Sequence, residues 1–279
     1  MSPDPDYRLF VYQIFYDQVS RESLDPGFIP LDNSLNERPD WYEFWPIRNY
    51  LKNNELLENA WYGFLSPKFV QKSGFTSAAV LNALEKYDAY ADVALFSVGW
   101  DQIAYFLNPF EQGEVWHPGL LKSSQLFFDE IGLSVDLNKL VTHCRTSVFS
   151  NYIIAKPKFW NEWLTIADKF YEIVESNAAP ELRRTTSYGS ILNQTPMKAF
   201  IQERFASVIL ARGQYKVLAA DQTQYAPIFT RLFKDDPRVR RMLQTCDLLK
   251  EKYCLTQDID YLNMYYKIRE DIEFTQPRT

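Results

Sequence analysis

The sequence has few of the residues that build cysteine or histidine sites. Its 279 residues include two histidines and three cysteines, Cys144, Cys246 and Cys254. The cysteines have no CxxC spacing, and two histidines are too few for a regular Cys/His pattern, so a Cys/His zinc site is not expected. An odd number of thiols without a disulfide pattern is typical of a reducing compartment. The sequence therefore predicts buried thiols and a cytoplasmic protein.

The sequence also lacks a strongly basic segment and a long apolar one. Its formal net charge is -6, and the densest basic piece, "RVRRM" at 238–242, lies among acidic residues. Nucleic-acid binding needs clustered Lys and Arg, so no nucleic-acid partner is expected. The start, "MSPDPDYR", has no apolar core of a signal peptide. No apolar run reaches the ~20 residues that span a bilayer, which leaves only peripheral membrane association open.

Several standard cofactor and nucleophile motifs are missing. The sequence contains no GxGxxG, no GxxxxGK[ST], no GxSxG and no HExxH. Their absence disfavours a dinucleotide-dependent enzyme, a P-loop NTPase, an α/β-hydrolase and a zinc protease. What remains is a set of polar residues embedded in aromatic segments.

Aromatic residues are abundant, at 16% of the chain, and concentrate in "RPDWYEFWPIRNYL", residues 38–51. Trp41, Phe44, Trp45 and Arg48 fall at i, i+3, i+4 and i+7, which is one face of a helix. Such rings fill cores, but they also line sugar sites. We expect Trp41, Tyr42 and Trp45 to line a site in part, with Glu43 and Arg48 fixing polar ligand groups. The alternative is a core helix in which Arg48 belongs to an ion pair.

Apolar runs and helical patterns alternate along the chain, which predicts an α/β fold with a mostly parallel or mixed sheet. Strands are expected in segments 7–16, 60–66, 92–98, 148–156 and 215–221. Segment 17–39 is predicted to be a long loop, and long structured loops are often functional. We expect one α/β domain over residues 1–221, with a helical C-terminal part, 222–279, packed on the same domain.

Polar residues follow the third predicted strand. Because ligands bind beyond the carboxyl ends of parallel strands, Trp100, Asp101 and Gln102 are candidates for a site. Asp101 would be a catalytic base, or only the N-cap of the next helix. Further on, Glu114, Trp116 and His117 combine acceptors with a ring face, which suits sugar hydroxyls better than a metal ion.

Two later segments add charged candidates. Asn151 opens the fourth predicted strand and Lys156 ends it just before a helix, where a phosphate could bind. An exposed, purely structural Lys156 is the alternative. Glu203 and Arg204 lie in the apolar helical run "KAFIQERFASVIL". Charges in such a run need partners, either on another helix or on a ligand.

The order of five segments is more informative than any one of them. "FIPLDNS", "DWYEFWPIRNYL", "AWYGFLSPKF", "NYIIAKPKFWNEWL" and "FIQERF" follow one another with characteristic spacing. This arrangement resembles the small bacterial glycosyltransferases of capsule and lipopolysaccharide gene clusters, whose nucleotide-binding domain is of the GT-A type. The resemblance covers roughly residues 7–219 by order and spacing rather than by identity.

The resemblance implies a Rossmann-like GT-A domain and transfer of a sugar from a nucleotide-sugar donor to a glycan or lipid-linked acceptor. The catalytic candidates are Asp101, Glu114 and Glu203. The substrate-binding candidates are Asp17, Asp32, Asn33, Trp41, Glu43, Trp45, Arg48, Lys68, Trp100, Gln102, Trp116, His117, Asn151, Lys156 and Arg204.

The sequence departs from the pattern at two places. Where those enzymes read "HYRR", this chain has "SPKF", so Lys68 is the one cation left there. No DxD motif follows the end of a predicted strand, since Asp88 and Asp92 lack the spacing, and the need for Mn or Mg stays open. The alternative function is a non-catalytic protein that binds sugar nucleotides or glycans on the same scaffold.

Overall fold

The structure is a computed structural model that describes residues 8–187, 194–213, 215–223, 228 and 232–275. The chain forms two compact units. Unit 1 takes the described residues of 1–97, 150–173 and 213–220, and unit 2 takes those of 98–149, 174–212 and 221–279. The predicted boundary near 221 differs from this division, because unit 2 also includes two segments from the middle of the chain.

Unit 1 is built on a six-stranded mixed sheet in the order β2-β1-β3-β5-β4-β8. Strand β5 runs antiparallel to both of its neighbours, while the other described pairings are parallel. The strands are β1 (Leu9–Phe15), β2 (Ile29–Asp32), β3 (Trp61–Leu65), β4 (Val93–Leu95), β5 (Ile153–Ala155) and β8 (Val217–Ala219). The expected α/β class with a mixed sheet and flanking helices is confirmed.

The sheet interior explains why continuous apolar runs form its central strands. All residues of β3, β4 and β5 are buried, as expected for strands covered on both faces. Gly63 in β3 permits a close approach, since a Cβ there would lie 2.7 Å from the Ile154 side chain of β5. The helices are α1 (Gln18–Glu22), α2 (Phe44–Asn53), α3 (Phe69–Ser73), α4 (Ser77–Tyr87) and α8 (Pro157–Glu175), whose last residues belong to unit 2.

The segment predicted to be a loop contains two regular elements. Helix α1 and strand β2 both lie within residues 17–39. Helix α1 has only five residues and begins at a capping box formed by Asp17 and Ser20. Neither element is long enough to show a periodic pattern. The turn residues of the segment therefore led to the prediction of a loop.

Unit 2 is mainly helical. Its elements are α5 (Trp100–Tyr105), α6 (Pro109–Trp116), α7 (Leu120–Glu130), the hairpin strands β6 (Thr185–Ser187) and β7 (Gln194–Pro196), α9 (Met197–Gln202), α10 (Phe205–Ala211), α11 (Pro237–Thr256) and α12 (Ile259–Glu270). One core cluster joins the aromatic residues of α5 to buried residues of α11 and α12, such as Leu243 and Tyr265. Among the described residues, none of the helices combines the length and the hydropathy needed to cross a bilayer.

The single helix predicted over residues 195–213 is two helices. Helix α9 ends at Gln202 and α10 starts at Phe205, with Glu203 and Arg204 between them. The side chain of Arg204 donates to main-chain oxygens of Pro109 and Phe200, which holds the chain at this break. A hydrophobic pattern that continues through both helices gives no sign of such an interruption.

Candidate functional site

The carboxyl ends of the parallel strands in unit 1 meet at one edge of the sheet, and β5 begins at the same edge. Four of the predicted residues follow or precede these ends: Asp17 after β1, Asn33 after β2, Lys68 after β3 and Asn151 before β5. The backbone N–H of Asn33 donates to Phe15 O at 2.9 Å, which joins the ends of β1 and β2. This edge, called the carboxyl edge below, is where an open α/β sheet binds ligands.

Two residues that the sequence did not single out fix the segment after β1. Gln13 is fully buried, donates to Ser66 O and Pro67 O at 3.2 Å, and accepts from Asp25 N at 2.9 Å. The Asp25 carboxylate accepts from Ser77 N at 2.8 Å at the start of α4, and from Ser77 Oγ. Partial burial opposes ionisation of Asp25, but hydrogen bonds from Ser77 and Gly27 outweigh it and lower its pKa.

Gly27 lets this segment lie directly on α4. A Cβ at Gly27 would lie 2.2 Å from Ser77 Oγ, so no side chain fits there. The segment 17–33 is therefore packed against the start of α4 and forms part of the carboxyl edge.

Tyr16 and Glu43 form a pair at the end of β1. The Tyr16 phenol is hydrogen-bonded to the Glu43 carboxylate, and its pKa is raised by burial and then by the charge of Glu43. The pair connects the first strand to the start of α2. Glu43 thus points to the carboxyl edge, as the site interpretation of the aromatic stretch requires.

Asn33 is the most unusual polar residue of this edge. It is 9% exposed, and its Nδ2 finds no hydrogen-bond partner among the residues that the structure describes. A buried amide donor without a partner destabilises the fold by about 1–3 kcal/mol. Such a group in a native structure calls for an explanation, and a ligand atom is one.

The other predicted residues of the edge are exposed or locally engaged. The Asp17 carboxylate accepts from Ser20 N, which lowers the pKa of Asp17, and Asp32 accepts from Ser34 N, which lowers its pKa in the same way. Lys68 is exposed at the N-cap position of α3. Lys68 stands where the glycosyltransferases that the sequence resembles have a pair of arginines.

The predicted helix face 41–48 is divided between core and surface. Trp41 is 1% exposed and stacks on Phe44 with ring centroids 4.6 Å apart, so it is a core residue rather than a site residue. Trp45 is half-buried and lies 5.9 Å from the Tyr171 ring.

Arg48 turns inward, as predicted, but its partner is a carboxylate of the protein. Its Nε donates to Asp168 Oδ1 at 2.6 Å, and its guanidinium carbon lies 4.1 Å from the Tyr171 ring centroid. The structure therefore contains the ion pair that was the alternative to a phosphate-binding Arg48.

Lys156 lies at the opposite edge of the sheet, because β5 runs against its neighbours and ends there. Its Nζ donates to Asp88 O at 3.0 Å, lies 3.3 Å from Asp88 Oδ1, and sits 5.2 Å from the Trp61 ring centroid. The structure does not bring Lys156 together with Asn33 or Lys68. Lys156 would lie at the carboxyl edge only if β5 ran parallel to its neighbours, and β5 is antiparallel to both.

In unit 2, Asp101 lies in the first turn of α5, and Gly99 rather than Asp101 is the N-cap. Asp101 is fully buried. The pKa of Arg240 is raised first by the hydrogen bond that Arg240 donates to Asp235, against the effect of burial, and then by the charges of Asp235 and Asp101. The neighbouring Trp100 is 6% exposed and lies under the Arg240 guanidinium at 5.6 Å.

Arg204 and Gln102 belong to one buried network. Arg204 Nη2 donates to Gln112 Oε1 at 2.8 Å, and Gln112 Nε2 donates to Gln102 Oε1 at 2.7 Å. Gly113 makes room for the guanidinium, since a Cβ there would lie 2.9 Å from Arg204 Nε. The network joins α5, α6 and the break between α9 and α10.

Glu114, Trp116, His117 and Glu203 also have contacts within unit 2. The Glu114 carboxylate accepts from Gly119 N at 2.7 Å and Leu121 N at 2.8 Å, which caps α7. Trp116 packs against the core of the unit. His117 stacks on Phe200 with centroids 3.6 Å apart, and burial and then Arg204 lower its pKa to about 3. Glu203 lies 4.0 Å from Arg204 Nη1.

Chemically, the two groups of predicted residues differ. Unit 1 gathers Asp17, Asn33, Glu43 and Lys68 at the carboxyl edge, whereas unit 2 holds the candidates of segments 100–117 and 203–204. Among the described residues, no group of three or more His, Cys, Asp or Glu side chains could hold a metal ion.

Comparison with protein-family models, with curated proteins and with solved structures gave no match to this chain.

Proposed function

We propose that this chain is a glycosyltransferase that binds a nucleotide-sugar donor at the carboxyl edge of unit 1 and transfers the sugar to a glycan or lipid-linked acceptor. The support is the resemblance to GT-A enzymes in segment order, together with a mixed, mostly parallel sheet. We also propose that unit 1 is a Rossmann-like domain of the GT-A type.

The observation that carries the proposal is the Nδ2 of Asn33. A nucleotide sugar presents many oxygen acceptors, on phosphates, ribose and base. A buried amide donor at the end of a parallel strand gains a hydrogen bond when such an oxygen arrives. Binding of a nucleotide sugar would thus offset the free-energy cost of burying the unpaired Asn33 amide donor.

The diphosphate leaving group needs positive charge around it. Lys68 is exposed at the carboxyl edge and supplies that charge in the proposal. Arg48 and Lys156 are engaged with Asp168 and Asp88, so the proposal does not use them.

An inverting transfer also needs a base for the acceptor hydroxyl. Within unit 1, Glu43 is the part-buried carboxylate that reaches the carboxyl edge, and the Tyr16 phenol orients it. We assign the proton transfer to Glu43. The catalytic roles predicted for Asp101, Glu114 and Glu203 stay predictions.

The test is a thermal-shift titration with UDP, GDP and CMP, followed by transfer assays with a panel of nucleotide sugars, each with Mn, Mg or EDTA. We expect at least one nucleotide to raise Tm, and Asn33→Asp to weaken that response roughly tenfold, because a carboxylate repels phosphate and lacks the donor. Asn59→Asp is the matched control, since Asn59 is exposed and lies before the start of β3 at the opposite edge.

The outcomes separate the two functions. A nucleotide response with turnover supports the transferase, and a response without turnover supports the non-catalytic alternative. No response to any nucleotide, or equal effects of the two Asn variants, would refute a donor site at Asn33.

A further inference from the structure

Tyr42 has a backbone conformation that side chains rarely adopt. Its φ is 50° and its ψ is -138°, in a region used almost only by glycine. Its ring is nevertheless 41% exposed. A large side chain therefore occupies a strained position without gaining the burial that usually compensates for strain.

The neighbouring core residues hold Tyr42 in this conformation. Trp41 and Phe44, on either side of Tyr42 and Glu43, are 1% and 0% exposed and stack on each other. Trp41 also packs edge-on against Phe170 of α8 at 5.8 Å. The chain must turn sharply between two buried rings, and glycine would make that turn with less strain. The tyrosine ring is thus directed at something other than the core.

Polar and aromatic groups come from the same turn of the chain, in which the backbone N–H of Trp45 donates to Tyr42 O at 3.3 Å. The Arg38 guanidinium carbon lies 5.9 Å from the Trp45 ring centroid and 5.5 Å from that of Tyr171. Arg38 donates to both carboxylate oxygens of Asp40 at 3.2 Å and to the Tyr171 hydroxyl at 2.6 Å. One segment, residues 38–45, thus supplies two partly exposed rings, a guanidinium and a carboxylate. They belong to Tyr42, Trp45, Arg38 and Asp40.

We propose that Arg38, Asp40, Tyr42 and Trp45 form a saccharide-binding surface, called the aromatic platform below. Sugar rings stack their C–H faces on aromatic rings, and their hydroxyls pair with fixed carboxylate and guanidinium groups. Its role as the acceptor site rests on the proposed function, because the platform adjoins Glu43, the proposed base. Saccharide binding itself needs no donor.

The test uses the full chain on an array of immobilised glycans, with affinities for the best ligands from titration calorimetry. We expect the wild type to bind at least one class of glycan. Tyr42→Gly should raise Tm by a few degrees, because it relieves the strain, and weaken glycan affinity roughly tenfold, because it removes a stacking ring. Stability and binding would therefore change in opposite directions.

Two controls match the substitution. Asn36→Gly also relaxes a left-handed residue, with φ 41°, but removes no ring, so glycan affinity should not change. Tyr90→Ala removes a ring that is 73% exposed elsewhere in unit 1, and it should also leave affinity unchanged.

The outcomes also separate this inference from the proposed function. Glycan binding without any nucleotide response keeps the platform and removes the donor site. The platform is refuted if the wild type binds no glycan, or if Tyr42→Gly binds glycan as well as the wild type does. It is equally refuted if Tyr42→Gly loses the nucleotide response instead, since the ring would then stack on a base.

Discussion

At Arg48 a buried charge is stabilised by two different partners. The side chain is 9% exposed, pairs with Asp168 at 2.6 Å and lies over the Tyr171 ring. Asp168 also has Lys52 at 3.4 Å, so it keeps one cation if the other is lost. Arg48 uses an N–H group for Asp168 and its guanidinium for the Tyr171 ring, a combination that an ammonium could not reproduce.

We predict that Arg48→Met destabilises the protein by about 2–3 kcal/mol, because Met keeps the volume but leaves Asp168 without its closest cation. Lys52→Met removes the second cation, which is 45% exposed, and should change stability by less than about 0.5 kcal/mol. Urea unfolding of both variants measures the difference. If Arg48→Met kept full stability but lost the nucleotide response, Arg48 would be a ligand-binding residue instead.

At the scale of elements, the segment between β1 and β2 depends on a few hydrogen bonds to α4. Asp25 accepts from Ser77 N, Ser77 Oγ and Gly27 N, so one carboxylate connects the segment to the start of a helix. Few apolar side chains of this segment are buried, Phe28 being the clearest case. Local opening of such a segment is easier than opening of the strands.

We predict that Asp25→Ala lowers the free energy of unfolding by about 1–3 kcal/mol and speeds amide exchange in residues 17–28. Asp32→Ala is the control at the end of β2, since exposed Asp32 accepts from nearby Ser34 and, among the described residues, makes no hydrogen bond with α4. Exchange measured by mass spectrometry should be fast for the first variant and near wild type for the second. Similar exchange in both would mean that Gln13 and Gly27 hold the segment without Asp25.

The sequence predicted the larger elements because each carries a pattern that local physics sets. Strands β1 and β3 are apolar runs, and α8 begins at Pro157 with an amphipathic face. The direction of β5 has no local signature, so Lys156 was placed at the wrong edge. Asp168 lies 120 residues from Arg48, and no spacing rule connects them. Gln13 was hidden in an apolar strand, although a polar residue there was a usable signal.

At the scale of the whole molecule, both histidines lie in unit 2 and both are buried. Burial, with some help from Arg204, lowers the pKa of His117 to about 3 from 6.5, and burial lowers the pKa of His143 despite the nearby charges of Asp247 and Glu251. The His117 imidazole is therefore neutral in the folded protein near pH 5, and the lowered pKa of His143 means that it takes up its proton less readily in the folded protein than in the unfolded chain. The unfolded chain protonates them below about pH 6.5, so it binds more protons than the folded chain.

We predict that the free energy of unfolding falls as the pH drops from about 6.5 to 5, by up to about 1.4 kcal/mol per pH unit from His117, to which His143 adds. Urea unfolding of the wild type, His117→Gln, His143→Gln and the double variant across this range gives the slopes. Each single variant should lower the slope, and the double variant should be nearly flat, because carboxylates such as Asp25 have lowered pKa values and protonate at lower pH. A wild-type slope near zero would mean that the histidines take up protons in the folded protein. They would then have to reach water or a carboxylate, and His117 could not remain a neutral ring stacked on Phe200 near the Arg204 charge.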